Sequence, residues 1–414
     1  MLNKALNISA VIFAFVFPLS IAAANIVLGV MLILWIAQGE WSRKFNQLKN
    51  DKILLSILGI TILLLISTMF SNSIYNGFAL NKSHNEYSFI LKRFVWLSLL
   101  YPIFITSVTK EYLSKIITAF LVAMFINELI SYATYFHLID IEYWKAKKIL
   151  YHELAYDNPA PMHHSFYSIF LVVTIFLLLT QLFTEKNIFM KAWILLFLTS
   201  STVNLFVNGG RTGQLAFILA SIIYSITYFR EKIKYIILMI TILISIIFTA
   251  YKFSPIFQSR ANLAIHSMNY IYKNRNYNTS WGARVALDIV SWRYLTQDIK
   301  HFIFGASAGD AKKEILIFSK KYPHLYRAVY DKKHLHNQYF QFWVDGSIFA
   351  LLLFFYMLYS AIKIKTPYRA LKYALITVFM FAFISDLFIY RTTSYILFLF
   401  VISILNIQAK ESYE

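Results

Sequence analysis

Two short motifs bring chemistry-bearing side chains to the edges of long apolar runs. They are Asn208-Gly209-Gly210-Arg211-Thr212-Gly213 and, far downstream, His334-Leu335-His336-Asn337-Gln338-Tyr339. Arginine grips a phosphate with a fork of donors and stays charged at any physiological pH. The flanking glycines allow close backbone approach and free N–H groups at a helix start, where the helix dipole also favours an anion. A snorkelling arginine that merely caps a span satisfies the same pattern. A neutral imidazole such as His336 can take a proton from a hydroxyl, and an interfacial histidine bonded to a loop is the plainer alternative. Asp345-Gly346 follows on the same predicted helix. Its glycine permits close helix packing, and its carboxylate is costly at that depth unless paired with a histidine or arginine. The combination points to an anionic, lipid-linked substrate handled at a bilayer surface.

Other candidates carry weaker signals. Arg284 opens a predicted amphipathic helix with Asp288 one turn on, which reads equally as an ordinary surface pair. His163 and His164 are adjacent, so on a helix they point in different directions and make a poor metal pair. No His-x-x-x-His, Asp-x-Asp or dense carboxylate cluster appears, so neither a metal nor another cofactor is expected. Asp386 and Arg391 are spaced to pair across the last external turn.

The elements that must position these residues are membrane helices. The 414 residues are 59% hydrophobic and only 14% charged, against about 25% charged in soluble proteins. Mean hydropathy is +0.58. The formal charge of +19 would suggest nucleic acid in a soluble protein. Here the charge lies in loops between apolar runs, which favours anionic lipid and phosphate-bearing substrate and argues against nucleic acid. Cysteine is absent, so disulfides and thiolate metal sites are impossible. Apolar runs of spanning length fall at 5–20, 22–38, 53–70, 88–107, 113–136, 163–183, 189–207, 211–229, 233–250, 337–362, 369–388 and 391–408. The first run reads as a retained span rather than a removed leader. Lysine and arginine in the short loops place both termini in the cytoplasm. The fold class predicted is all-α and polytopic. Residues 1–250 hold about nine spans, 251–336 form a basic, mostly helical external cap, and 337–414 hold about three more. Residues 71–87 and 137–162 also fall outside in this topology.

Taken in order, these motifs resemble the bacterial O-antigen ligase and O-antigen polymerase superfamily. Pro18–Asn25 is similar to the family's first hairpin and His164-Ser165-Phe166-Tyr167-Ser168 to the start of its middle block. Gly210-Arg211-Thr212-Gly213 is similar to its arginine motif, Ile303-Phe304-Gly305 with Gly309 to its late external loop, and His334–Tyr339 with Asp345-Gly346 to its histidine–asparagine block. Arg284 lies one helical turn further from Gly305 than the family pattern, and Phe302 stands where the family usually has proline. Arg293 is therefore the alternative external-loop arginine.

The resemblance implies an inverting, metal-independent membrane glycosyltransferase in the bacterial inner membrane, with its site facing the periplasm. The donor would be a glycan on undecaprenyl diphosphate and the acceptor a hydroxyl of lipid A-core, with membrane lipid around both. Arg211 and Arg284 would hold the diphosphate, and His336 would be general base, oriented by Asn337 or Asp345. Gly210, Thr212, Gly213, His164, His334, Asn337, Gln338 and Arg293 would bind substrate. A polymerase of the same superfamily and, more distantly, a transporter or flippase of lipid-linked glycan are the competing readings.

Overall fold

The computed structural model describes residues 1–70, 89–142, 159–330, 332 and 334–409. The expected external segment 71–87, and most of 137–162, lie outside the described residues. Every regular element among the described residues is helical.

Helix starts coincide with side chains able to satisfy the first free N–H groups. Ser20 caps α2 (Ile21–Ala37), which follows α1 (Leu2–Val16), and Asp51 caps α4 (Lys52–Met69). Between them α3 (Trp41–Leu48) folds back at 115° to α2. The chain re-enters through a π-helical turn, Leu91–Trp96, before α5 (Leu100–Ser107) and α6 (Lys110–Tyr135). Then follow α7 (His164–Thr184), α8 (Ile188–Val207), α9 (Arg211–Tyr228) and α10 (Ile233–Phe253). A cap of shorter helices comprises α11 (Pro255–Asn274), α12 (Ser280–Leu295), α13 (Ile299–Phe304), α14 (Ala311–Ser319) and α15 (Pro323–Val329). The chain ends in α16 (Gln338–Gly346), α17 (Ile348–Ile362), α18 (Arg369–Ser385) and α19 (Thr392–Ala409).

Among the described residues six helices are long and apolar enough to cross a membrane: α4, α6, α7, α8, α10 and α19. The protein is thus a multi-pass, all-α membrane protein. Two expected helices are broken instead. The run 337–362 divides at Ser347, whose φ of 96° ends α16 and restarts the chain as α17. The amphipathic helix expected around Arg284 ends at Leu295, and Asp298 caps a separate helix.

Aromatic side chains fill the bundle centre. Phe17 lies 5.0 Å from Phe400 and 5.6 Å from Phe120, and Phe104 packs on Phe13. α19 runs through this centre and is almost wholly enclosed, whereas α10 turns Ile237, Ile244 and Phe248 outward, as a lipid-facing helix must. A second, smaller core joins the cap to α16 through Val290, Leu295, Ile315, Trp343 and Val344. Gly305 makes that junction possible: at φ +69° its Ala306 neighbour donates to the Val344 carbonyl at 2.8 Å, and any Cβ on it would meet the Trp343 and Val344 oxygens.

Hydrogen bonds fix which helix ends lie together. At one end Ser385 Oγ reaches Thr212 Oγ1 at 3.1 Å, Ser254 Oγ reaches the Phe206 carbonyl at 2.8 Å, and Tyr390 reaches Asp345 at 2.6 Å. At the other end Asn406 donates to Tyr101, which donates to Asp51. The starts of α7, α9, α16 and α19 therefore share the end that carries the cap.

Candidate functional site

Arg211 is the first residue of α9 and stands half-buried where α7 and α8 meet the cap. Its approach is set by the glycines. Gly213 N–H donates to Ser168 Oγ at 3.1 Å, and a Cβ at Gly210 or Gly213 would collide with Ser168. Asn208 Oδ1 accepts from Gly210 N–H at 2.9 Å and stiffens the turn. Gly209 has a different use: a Cβ there would stand 3.3 Å from Arg260 Nε, so the missing side chain leaves room for a second guanidinium.

Three arginines from three helices meet here. Arg211 on α9 feels the charges of Arg260 on α11 and Arg284 on α12, and His164 at the start of α7 feels all three. Like charges gathered at the edge of an apolar bundle are costly unless an anion is received. Arg260 was expected only as part of the cap's general basic charge. It lies outside the motifs, and the bare Gly209 backbone was the one trace of it in the sequence. Arg293, the alternative to Arg284, is exposed and stacks on Tyr322 with its guanidinium 4.4 Å from the ring centroid.

Arg284 and Asp288 do not form the expected surface pair. Both are partly enclosed, and the Asn337 side chain hydrogen-bonds to Asp288. Burial pushes the Asp288 carboxyl up to about 7, against the opposing pull of Asn337 and Arg284. Asn337 also caps α16, accepting from Tyr339 and Phe340 N–H.

His336 sits in the left-handed region at φ 56°, a conformation uncommon outside glycine and asparagine. Its Nδ1 stands 3.4 Å from Asp386 Oδ1, slightly beyond a formed hydrogen bond. Burial opposes ionisation of Asp386, yet the adjacent imidazole, the Leu387 N–H and His334 hold its carboxyl well below the usual carboxylate range. Asp386 thus faces His336, not Arg391 as the spacing suggested. Arg391 Nη2 lies 3.1 Å from His334 Nε2, and the two imidazoles of His334 and His336 are 4.0 Å apart. Burial, His336, Arg391 and Arg284 push His334 down to about 4, so it is neutral at physiological pH.

Other expectations are revised by the packing. Asp345 accepts from Gln341 at 2.8 Å and from Tyr390, so Asp386 rather than Asp345 or Asn337 faces the His336 ring. His163 and His164 stack with centroids 4.5 Å apart, because His163 precedes the helix and does not follow its geometry. Gln338 accepts from Ile389 N–H at 3.0 Å and ties α16 to the Asp386 loop. Thr212 likewise meets Ser385 beside Asp386. Ligand atoms of His334, His336 and Asp386 lie within 4.8 Å of one another, a juxtaposition hidden by sequence distance. The Arg391 guanidinium on His334 and the nearby Arg284 disfavour a cation there.

Beside the arginines runs an apolar cleft of about 710 Å³ between α7, α8, α9 and α10, lined by Leu198, Val203, Phe206, Phe217, Leu243 and Phe253. Its Ser254 edge begins α11, the helix that carries Arg260. The arrangement offers an anion cradle, an adjoining apolar slot and a histidine backed by a carboxylate.

No curated protein matches the chain. Residues 193–355, from α8 to α17, match the family described as O-antigen ligase. That stretch carries Arg211, Arg260, Arg284 and His336, so the similarity to this family covers the candidate site.

Proposed function

We propose that the protein is an O-antigen ligase: an inverting, metal-independent transferase moving a glycan from undecaprenyl diphosphate to a lipid A-core hydroxyl on the periplasmic side of the inner membrane. The observation that carries this reading is the convergence of Arg211, Arg260 and Arg284 beside the His336–Asp386 pair. The polyprenyl tail lies in the apolar cleft, and the three guanidinium groups receive the diphosphate. A proton on His336 Nδ1, facing Asp386, leaves the Nε2 lone pair for the acceptor hydroxyl. The hydroxyl oxygen attacks the anomeric carbon from the face opposite the diphosphate while its proton passes to Nε2. The bond between the anomeric carbon and phosphate oxygen breaks, and the arginines stabilise the charge that collects on the departing diphosphate. Such preorganised donors do the work a divalent cation does elsewhere.

His336→Ala tests the reading. Loss of a general base costs about 10²–10⁴-fold, so glycan transfer by purified protein should fall by that factor with membrane abundance unchanged. Transfer at the wild-type rate would remove the histidine from the mechanism. Surface glycolipid from a deletion strain separates the possible activities: bare core marks a ligase and core with one repeat a polymerase. Transfer by purified protein without any gradient counts against a transporter.

A further inference from the structure

A second group of arginines lies beside the histidine pair. Arg93 is on the π-helical turn Leu91–Trp96, a rare geometry that concentrates at functional sites. Its guanidinium is 5.6 Å from the Phe89 ring centroid, Phe89 packs 5.6 Å from Tyr390, and the next residue is Arg391. Arg391 in turn touches His334 at 3.1 Å, one ring from His336. Arg93 senses the charge of Arg391, just as Arg211 senses Arg260 and Arg284.

Among the described residues neither guanidinium has a carboxylate at ion-pair distance. Asp386 faces His336 and the Leu387 N–H, and Asp345 accepts from Gln341 and Tyr390. The pair is anchored, with Arg93 held over a ring and Arg391 on an imidazole.

We propose that Arg93 and Arg391 form a second anion subsite, which binds a phosphate group of the acceptor glycolipid and sets its hydroxyl against His336. The proposal rests on the transferase reading for the word acceptor, and on the geometry alone for the anion. The phosphate can belong to a phosphorylated lipid A-core or to a second prenyl diphosphate. Both present the same chemistry to a pair of guanidinium groups.

The full-length protein in detergent provides the test, with three probes: phosphorylated lipid A-core, its phosphatase-treated form and a short-chain prenyl diphosphate. An R211Q/R284Q background weakens the donor cradle so that the second subsite dominates binding. Adding R93Q/R391Q should weaken one phosphorylated probe at least about tenfold, as expected for losing charge-assisted bonds. The probe that responds identifies the source of the phosphate. The phosphatase-treated glycolipid should bind equally to both proteins. R93K/R391K keeps the charge and should recover part of the affinity, which a misfolded protein would not. Equal binding of both phosphorylated probes with and without R93Q/R391Q overturns the subsite. If binding depends on the two arginines but the wild-type protein transfers no glycan, the subsite stands and the transferase reading falls.

Discussion

Replacing Gly210 by alanine probes how tightly the arginine is positioned. The new Cβ would lie 2.5 Å from the His164 carbonyl oxygen and 2.5 Å from Ser168 Oγ, where ordinary contact begins at 3.4 Å. The shortfall is about 0.9 Å, and one of the two opposing atoms is backbone. A flexible side chain cannot absorb it, so the start of α9 must move away from α7. Overpacking of this kind costs about 1–3 kcal/mol of stability, and a displacement near 1 Å at a reacting centre costs about 10²-fold in rate. Gly209→Ala is the control: its Cβ meets Arg260 Nε at 3.3 Å, the end of a long side chain that can shift. The assay is glycan transfer by purified protein, with thermal melting in detergent alongside. Gly210→Ala should lose about two orders of magnitude in kcat/KM with a modest fall in Tm, and Gly209→Ala less than tenfold. Equal damage from both, or wild-type activity in Gly210→Ala, would refute the argument that close approach of α9 to α7 positions Arg211.

Three further outcomes follow from the same geometry. Arg260→Gln should raise the donor KM and lower kcat/KM by roughly 10–100-fold, since a charge-assisted bond is worth about 1.5–3 kcal/mol; steady-state kinetics with varied donor checks this. Asp386→Asn removes the anion facing His336 and should lower kcat more than KM, with a shifted acidic limb in the pH–rate profile. Asp288 titrates at about 7 in the folded protein, above the usual carboxylate value of 3.8. The native state therefore holds more protons between those values, so this group's contribution to stability falls as pH rises from about 4 to 7 and then levels off. Above pH 7 its carboxylate competes with phosphate for Arg284. Asp288→Asn should flatten the loss of stability between about pH 4 and 7 and the loss of activity above pH 7, measured by melting and transfer across pH 4–9.

The sequence alone determined the polytopic helical class, because spanning a bilayer demands long apolar runs with internally satisfied backbones. Charged loops and turn residues also fixed where the helices start and stop to within a few residues: 188–207, expected at 189–207, is capped by Asn187. Arg211 and His336 stood out for the same reason, as costly groups at the edges of apolar runs. The break at Ser347 was hidden because hydropathy is blind to φ, which is 96° at that residue. Which groups share the site was also decided by the tertiary structure. Arg260 comes from a helix far along the chain from Asp386 and Arg391, and those two had each other as the nearer partner by spacing. Burial overrode that spacing: Asp386 turned to His336 and Arg391 to His334 when α16, α18 and α19 packed together. Local pattern reports the depth and periodicity of a residue, whereas the identity of its neighbour across the bundle depends on how whole helices pack.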